Sequence, residues 1–274
     1  MAGSGTSLFT DPADYEKSIA FMRRVLPIAG GQFRARCTWI ELPHIQLFRV
    51  SETVERIGCL SLPPNRLYLM FSTWSGRPLL HGGVELRRGE FVLHAPGQCF
   101  YQRVPSDSRW GSISITPQSL GHYAEILIGA RMEPPPFSSL FRPPAGDRER
   151  LLRLHAQACR ITETRLTNIG HPEVSRALEQ DLIWSLVSCL GAGPVSALCA
   201  EREATEAVVR FVEALAVADP PVTVQDLCRS IQVPERRLRA AFTTVLGLSP
   251  GSYLRLRYPR QSSRGEPDRA RHVL

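Results

Sequence analysis

The spacing of apolar residues changes twice along the chain. Between Asp14 and Leu26, the residues Tyr15, Ile19, Met22 and Leu26 recur at helical intervals, which predicts a first helix with one apolar face. From Phe33 to about Thr116 the rhythm becomes alternating. Runs such as "FRARCTWIEL", "IQLFRV", "LYLMFSTW", "EFVLH", "QCFYQRV" and "WGSISIT" are separated by Pro, Gly, Asn and Ser. Short strands at that spacing predict an antiparallel sandwich or barrel. After Thr116 the helical period returns. "PQSLGHYAEILIG" opens with Pro117, tolerated in a first turn, and two longer helices follow in "DRERLLRLHAQACRITETRL" and "PEVSRALEQDLIWSLVSCL". The proline-rich "EPPPFSSLFRPPAG" between them and the first is expected to be extended.

Leu182 to Ala200 carries no charge and could be mistaken for a membrane span. Gly191, Gly193, Pro194 and Ser196 stop continuous helix near Leu190, so the apolar run is too short to cross a bilayer. It reads as a buried helix followed by a linker. The predicted class is α+β. An antiparallel β-domain with a leading helix occupies 1–130, a helical bridge 131–190, a linker 191–204 and an all-α unit 205–257. Residues 258–274 form a tail too poor in apolar residues to build a core. No internal repeat is visible.

The all-α unit contains "LCRSIQVPERRLRAAF", two short amphipathic helices around a tight corner. Thr223 can cap the first, with Asp226 as an acidic capping-box partner. Val224, Leu227, Cys228 and Ile231 then face inward. Gln232 and Val233 make the corner, and Pro234 opens the second helix, where a missing N–H costs nothing. There Leu238, Ala241 and Phe242 share one face, while Arg236, Arg237, Arg239, Ala240 and Thr243 share the other. This is a helix-turn-helix pattern. The outer face suits a major groove, because a guanidinium fork can pair both acceptors of guanine. From the pattern alone, a solvated arginine face on a packed hairpin fits equally well.

Charge and cysteine content sharpen the choice of setting. The 274 residues carry a net charge of +7, with Lys17 the only lysine, which favours an anionic partner. The 7 cysteines are odd in number and never spaced as CxxC, which points to a reducing compartment and away from a disulfide framework or zinc ribbon. "MAGSGTSLFTDPADYEK" has neither the basic flank nor the apolar core of a signal peptide, so a cytoplasmic location is expected.

"TVQDLCRSIQVPERRLRAAFTTVLGLSPGSYLRLR" resembles the first helix-turn-helix of the AraC/XylS transcription regulators. Leu227, Cys228, Ile231, Val233, Leu238, Phe242, Gly247, Ser249, Pro250, Tyr253 and Leu254 stand where that family places its framework. The resemblance covers Thr223 to Arg257. It implies double-stranded DNA as a partner, a recognition helix from Pro234 to Thr244, a small-molecule effector and a homodimer. Gln232 replaces the small residue usual at the corner, which asks for a strained backbone there. The family normally continues into a second helix-turn-helix. Here "YPRQSSRGEPDRARHVL" follows, and the expectation is a truncated or frame-shifted regulator with weakened DNA binding. The alternative is a sensor and dimerisation module without DNA binding, which forms mixed dimers with full-length relatives; a cupin enzyme is the third and least favoured reading.

The same resemblance implies a cupin-like, jelly-roll sensor in the β-domain, and "RRGEFVLHAPGQCF" is similar to the cupin turns. A metal-bearing cupin would carry a histidine just after the Pro-Gly pair, where this chain has Phe100. His81 and His94 are not spaced as HxH, so no metal, no cofactor and no enzyme activity are expected. No nucleophile motif or phosphate-binding glycine loop is present either. Trp39, Tyr68, Trp74, His94, Phe100 and Trp110 are candidates for an apolar effector pocket, and each fits plain core as well. His81, beside Gly82-Gly83, is expected in an exposed turn. The helices from Asp147 to Leu190 present Leu151, Leu154, Ala158 and Ile161, and Val174, Leu178, Leu182 and Ile183, either to a second copy or to the chain's own β-domain.

Overall fold

The computed structural model describes residues 3–74, 76–164, 171–197, 199–217 and 223–258. The tail expected at 258–274 lies outside the described residues apart from Tyr258. Two antiparallel sheets form the sandwich. The larger has eight strands in the order β1 (Gly3–Phe9), β3 (Ala35–Glu41), β4 (Ile45–Glu52), β11 (Ser108–Ile115), β6 (Leu67–Ser72), β9 (Phe91–His94), β12 (Ser139–Phe141), β13 (Ser196–Ala197). The smaller has five, in the order β2 (Met22–Pro27), β5 (Arg56–Ser61), β10 (Cys99–Val104), β7 (Leu79–His81), β8 (Val84–Leu86).

Alternation along each strand decides what each sheet face meets. On β6 and β11, Leu67, Leu69, Phe71, Ile113 and Ile115 turn outward and pack under α2 (Pro117–Ile128), α3 (Ala145–Thr164) and α4 (Pro172–Gly191). Their neighbours Tyr68, Met70 and Trp110 turn inward, where they meet Phe100 and Val104 of the smaller sheet. The outward face of that smaller sheet, through Ile57 and Tyr101, packs against the C-terminal helices α5 (Cys199–Val217), α6 (Val224–Ser230), α7 (Glu235–Leu246) and α8 (Pro250–Arg257). The result is four layers, helices outside and sheets inside.

The leading helix is shorter than its periodicity predicts. Only α1 (Pro12–Ser18) is helical, capped by Asp11, whose side chain accepts from the Ala13 N–H at 2.7 Å. Met22 to Pro27 is strand β2, paired with β5 through a register shift near Arg24. Tyr15, Ile19 and Met22 are buried as expected, but the edge of β5 claims the backbone after Ser18. Strand β1 has no counterpart among the predicted elements. The expected linker 191–204 is partly structured, because α5 already begins at Cys199. Extended "EPPPFSSLFRPPAG" supplies β12, which pairs with β9.

Inside the sandwich lies a fully buried ion pair. Arg56 Nη2 meets Glu52 at 2.8 Å, and the Tyr15 hydroxyl donates to the same carboxylate. Glu52 and the phenol raise the affinity of Arg56 for its proton against the pull of burial. Such a pair contributes little net stability, yet removing one partner strands the other charge at a cost of about 3–5 kcal/mol.

Close packing between the larger sheet and α3 gives a direct test. A Cβ on Gly111 would lie 2.7 Å from the His155 ring and 2.7 Å from Phe71. Gly111→Ala should therefore destabilise the chain by about 1–3 kcal/mol, the usual range for overpacking, as read by urea unfolding. An unchanged midpoint would mean that α3 sits farther from β11 than described.

Candidate DNA-reading helix and effector cavity

The helical corner is built as its sequence implies. Thr223 accepts from the Asp226 N–H at 3.2 Å while the Asp226 carboxylate accepts from the Thr223 N–H at 3.4 Å, a reciprocal capping box. The chain reverses at Gln232, whose φ is +55°, in the left-handed region that glycine tolerates best. The Val233 N–H then closes on the Cys228 carbonyl at 3.1 Å.

Helix α7 follows with Leu238, Ala241, Phe242, Val245 and Leu246 buried. Arg236, Arg237, Arg239, Ala240 and Thr243 are all exposed on its opposite side. Arg239 bonds Glu235 one turn earlier at 2.6 Å, a solvent-facing pair that groove binding can exchange. Phe242 is wedged between Phe211 of α5 and Tyr253 of α8, with ring centroids 5.0 and 5.6 Å away. Three elements thus hold α7 with its arginines outward.

The far end of α7 is tied to the β-domain. Gly247 terminates the helix in the left-handed conformation, and Arg103 of β10 reaches across to it. Its Nη1 donates to the Leu246 and Gly247 carbonyls at 3.0 and 2.9 Å, while its Nε donates to Glu55 at 2.8 Å. A cation at a helix C-terminus satisfies carbonyls that have no helical partner. Sequence reasoning missed Arg103, because nothing local marks a strand arginine as a cap for a helix 143 positions away.

The candidate pocket residues separate into three groups. Tyr68 and Trp110 are plain core, and Trp39 lies partly buried over Gly5 of β1. Trp74 follows β6 in a turn and is 38% exposed. His94 and Phe100 line a cavity of about 600 Å³ between the sandwich and α5. Its walls include His81, Gln98, Phe137 and Ser138 on the β-domain side and Thr205, Glu206, Val209 and Arg210 on α5.

His81 was expected in an exposed turn; it is instead 1% exposed, on β7, paired opposite Gln102 of β10. It contacts His94 across the cavity floor, Nδ1 to Nε2 at 3.4 Å, and His94 stacks on Phe100 at 3.9 Å. One set of proton positions satisfies the row. Gln102 Nε2 donates to His81 Nε2 at 3.1 Å, His81 Nδ1 donates to His94, and His94 Nδ1 donates to Ser138 Oγ at 2.8 Å. Ser138 donates onward to Gln98. Both imidazoles are then neutral. Burial depresses their pKa values, that of His81 to about 3, and each is further opposed by a neighbour: Arg56 for His81, and His81 for His94. Among the described residues no group of three His, Cys, Asp or Glu is placed to hold a metal ion.

This arrangement, a β-sandwich joined to a helix-turn-helix unit, is a fold shared with a solved AraC-like transcription regulator. The chain is similar over 96% of its length to the solved AraC-like transcriptional activator CuxR, with 96% of that chain covered, 17% identity and a TM-score of 0.50. Looser similarity extends to ToxT from Vibrio cholerae, with 8% identity, 83% and 80% of the two chains covered and a TM-score of 0.35. KdgF from Halomonas sp. matches 30% of this chain and 78% of its own, with 11% identity and a TM-score of 0.25. No family model matches the chain, and no curated protein matches it. No helix of the described residues is long and apolar enough to cross a membrane.

The buried imidazoles set a pH dependence. His81, His94 and His155 are neutral in the fold with lowered pKa values, His155 at about 4 through burial. The unfolded chain takes up protons below about pH 6.5, so stability is full above that value and falls as pH drops. Each group steepens the fall by about 1.4 kcal/mol per pH unit until its folded pKa is reached. Urea midpoints should decline from pH 6.5 to 4.5, and His94→Gln should flatten the decline. A midpoint constant over that range would contradict neutral burial.

Proposed function

We propose that the protein is a ligand-responsive transcription regulator that reads double-stranded DNA with α7. The observation that carries this reading is the exposed face formed by Arg236, Arg237, Arg239, Ala240 and Thr243 on the second helix of a helix-turn-helix. Arginines on one helix face can pair guanine edges bidentately or meet phosphates, and Ala240 leaves room for close approach. The effector occupies the cavity between sandwich and α5. A flat apolar body stacks beside Phe100 and His94, and its polar edge meets Gln98, Ser138 and Arg210. Such a ligand touches both layers at once, so it can favour one seating of the helical unit over another, provided its affinity for the two differs.

A homodimer fits this role by placing two reading helices at a fixed spacing. Most of the apolar face offered by α3 and α4 is consumed by the chain's own larger sheet, where Leu151, Ala158, Leu182 and Ile183 are buried. Ile161, Val174 and Trp184 remain exposed, together with Ile126, Leu127 and Ile128 at the end of α2. The second copy is assigned to that surface.

Titration with random-sequence duplex at two salt concentrations tests the DNA role. Binding should weaken with salt, with log K falling by about 0.9 per phosphate contact for each unit of log salt. Arg236→Ala and Arg237→Ala should each weaken binding, and a variant that loses a phosphate contact reduces that slope by about 1. Arg87→Ala, an exposed arginine on the β-domain beside Glu85, should leave it unchanged. No salt-dependent binding, or equal losses at all three positions, would leave the sensor module without DNA reading as the better account.

A further inference from the structure

Strand register gathers arginines at one end of the larger sheet's outward face. Arg36 of β3 lies opposite Ser51 of β4, and Ser51 lies opposite Arg109 of β11. Directly opposed residues share a face, so these three form one row. The neighbouring row is Thr38, Arg49 and Gly111. Arg34 stands just beyond the first row, its N–H bonded to Thr53 Oγ1 at 3.0 Å. A cavity of about 800 Å³ runs over this surface, walled on one side by His155, Ala156 and Glu163 of α3.

The carboxylates around the cavity do not neutralise its arginines. Glu52 is engaged inside the sandwich by Arg56, and Glu163 is held by Arg49 and Thr38. Arg34, Arg36 and Arg109 are left with Asp107. Arg34 gives one N–H to Gln32. Among the described residues the guanidinium groups of Arg36 and Arg109 make no hydrogen bond or ion pair. Both side chains are exposed and carry donors suited to an anion.

His155 supplies a polar group of the opposite kind in the cavity wall. It is fully buried, and its Nε2 donates to the Phe48 carbonyl at 2.9 Å. A carbonyl only accepts, so Nδ1 of the neutral ring keeps its lone pair. Among the described residues that buried acceptor has no hydrogen-bond partner. Such an atom costs free energy until a donor reaches it.

The arrangement selects the kind of anion. A carboxylate offers two oxygens in one plane and suits a single guanidinium fork. Arg36 and Arg109 instead stand two strand spacings apart, about 10 Å at their backbones, with the Ser51 side chain between them. Donors converging from both sides and from below match the several oxygens of a tetrahedral phosphate. The cavity is far larger than one phosphate and falls in the usual range for organic ligands. It leaves room for a body whose hydroxyl or N–H meets His155 Nδ1.

We propose that this groove binds a small phosphorylated molecule, its phosphate held by Arg36, Ser51 and Arg109. The molecule bridges the larger sheet and α3, on the side of the sandwich away from the helical unit. The assignment depends neither on DNA reading by α7 nor on the cavity against α5.

Isothermal titration calorimetry of the full chain with inorganic pyrophosphate tests it. One equivalent should bind. Arg36→Gln and Arg109→Gln should each weaken binding about 10–100-fold, the loss of charge-assisted hydrogen bonds, while Arg87→Gln leaves it unchanged. Citrate, similar in charge but carrying carboxylates only, should bind about 10-fold more weakly. Pyrophosphate should also raise the thermal midpoint of the unmodified chain, a readout that needs no variant. No binding, undiminished binding in either Arg36→Gln or Arg109→Gln, an equal loss in Arg87→Gln, or citrate bound as tightly as pyrophosphate would overturn the assignment. Loss of random-sequence duplex binding when Arg36→Gln and Arg109→Gln are combined would give the row to DNA phosphates and overturn it as well.

Discussion

The outward face of the small sheet is the constraint on which the rest of the molecule depends. Strand β10 presents Phe100, Gln102 and Val104 to the sandwich and Cys99, Tyr101 and Arg103 to the helical unit. One strand is therefore both a wall of the sandwich and a docking surface. Ile57 and Tyr101 share a core with Phe211, Leu238, Phe242 and Tyr253, and Arg103 caps the helix that bears the exposed arginines. Any displacement of β10 is felt by α7, because packed interfaces of this kind are stiff at the scale of an ångström.

The cavity against α5 is shaped by that arrangement. His94 and Phe100 form its floor from the sandwich side, and Thr205, Glu206, Val209 and Arg210 close it from α5. Thr205 also donates to the Gly82 carbonyl at 3.3 Å, a direct hydrogen bond between the layers at the cavity rim. A molecule entering there competes with interdomain contacts as well as making its own. The proton-ordered row from Gln102 through His81 and His94 to Ser138 keeps the floor neutral and rigid, which suits a recognition surface better than proton transfer.

Legibility in the sequence followed the range of the interaction. The two faces of α7, the Thr223–Asp226 cap and the strain at Gln232 rest on residues within a few positions of one another, and local periodicity revealed them. The sandwich was legible as a class because alternation is local. Its pairing was not. His81 lies beside Gly82-Gly83 and looked like turn, but β7 pairs with β10 and carries its side chain into the interior. The stretch from Met22 to Leu26 continued the helical spacing, while tertiary pairing with β5 made it a strand, since pairing outweighs propensity in so short a segment. Of six aromatic and histidine positions suggested as pocket wall, only His94 and Phe100 line the cavity against α5, because the twist and register of the sheets, not residue type, decide which side chains meet it.

The account stands on the seating of α7 against β10, and native-state hydrogen exchange measures it most directly. Arg103→Ala removes charge-assisted bonds of roughly 1.5–3 kcal/mol at the C-terminal end of that helix. Amide exchange in Ala241–Leu246 should then accelerate about 10–100-fold, with α3 and α4 unaffected. Unchanged protection across α7 in that variant would show that the helical unit is held independently of the smaller sheet and would contradict the account.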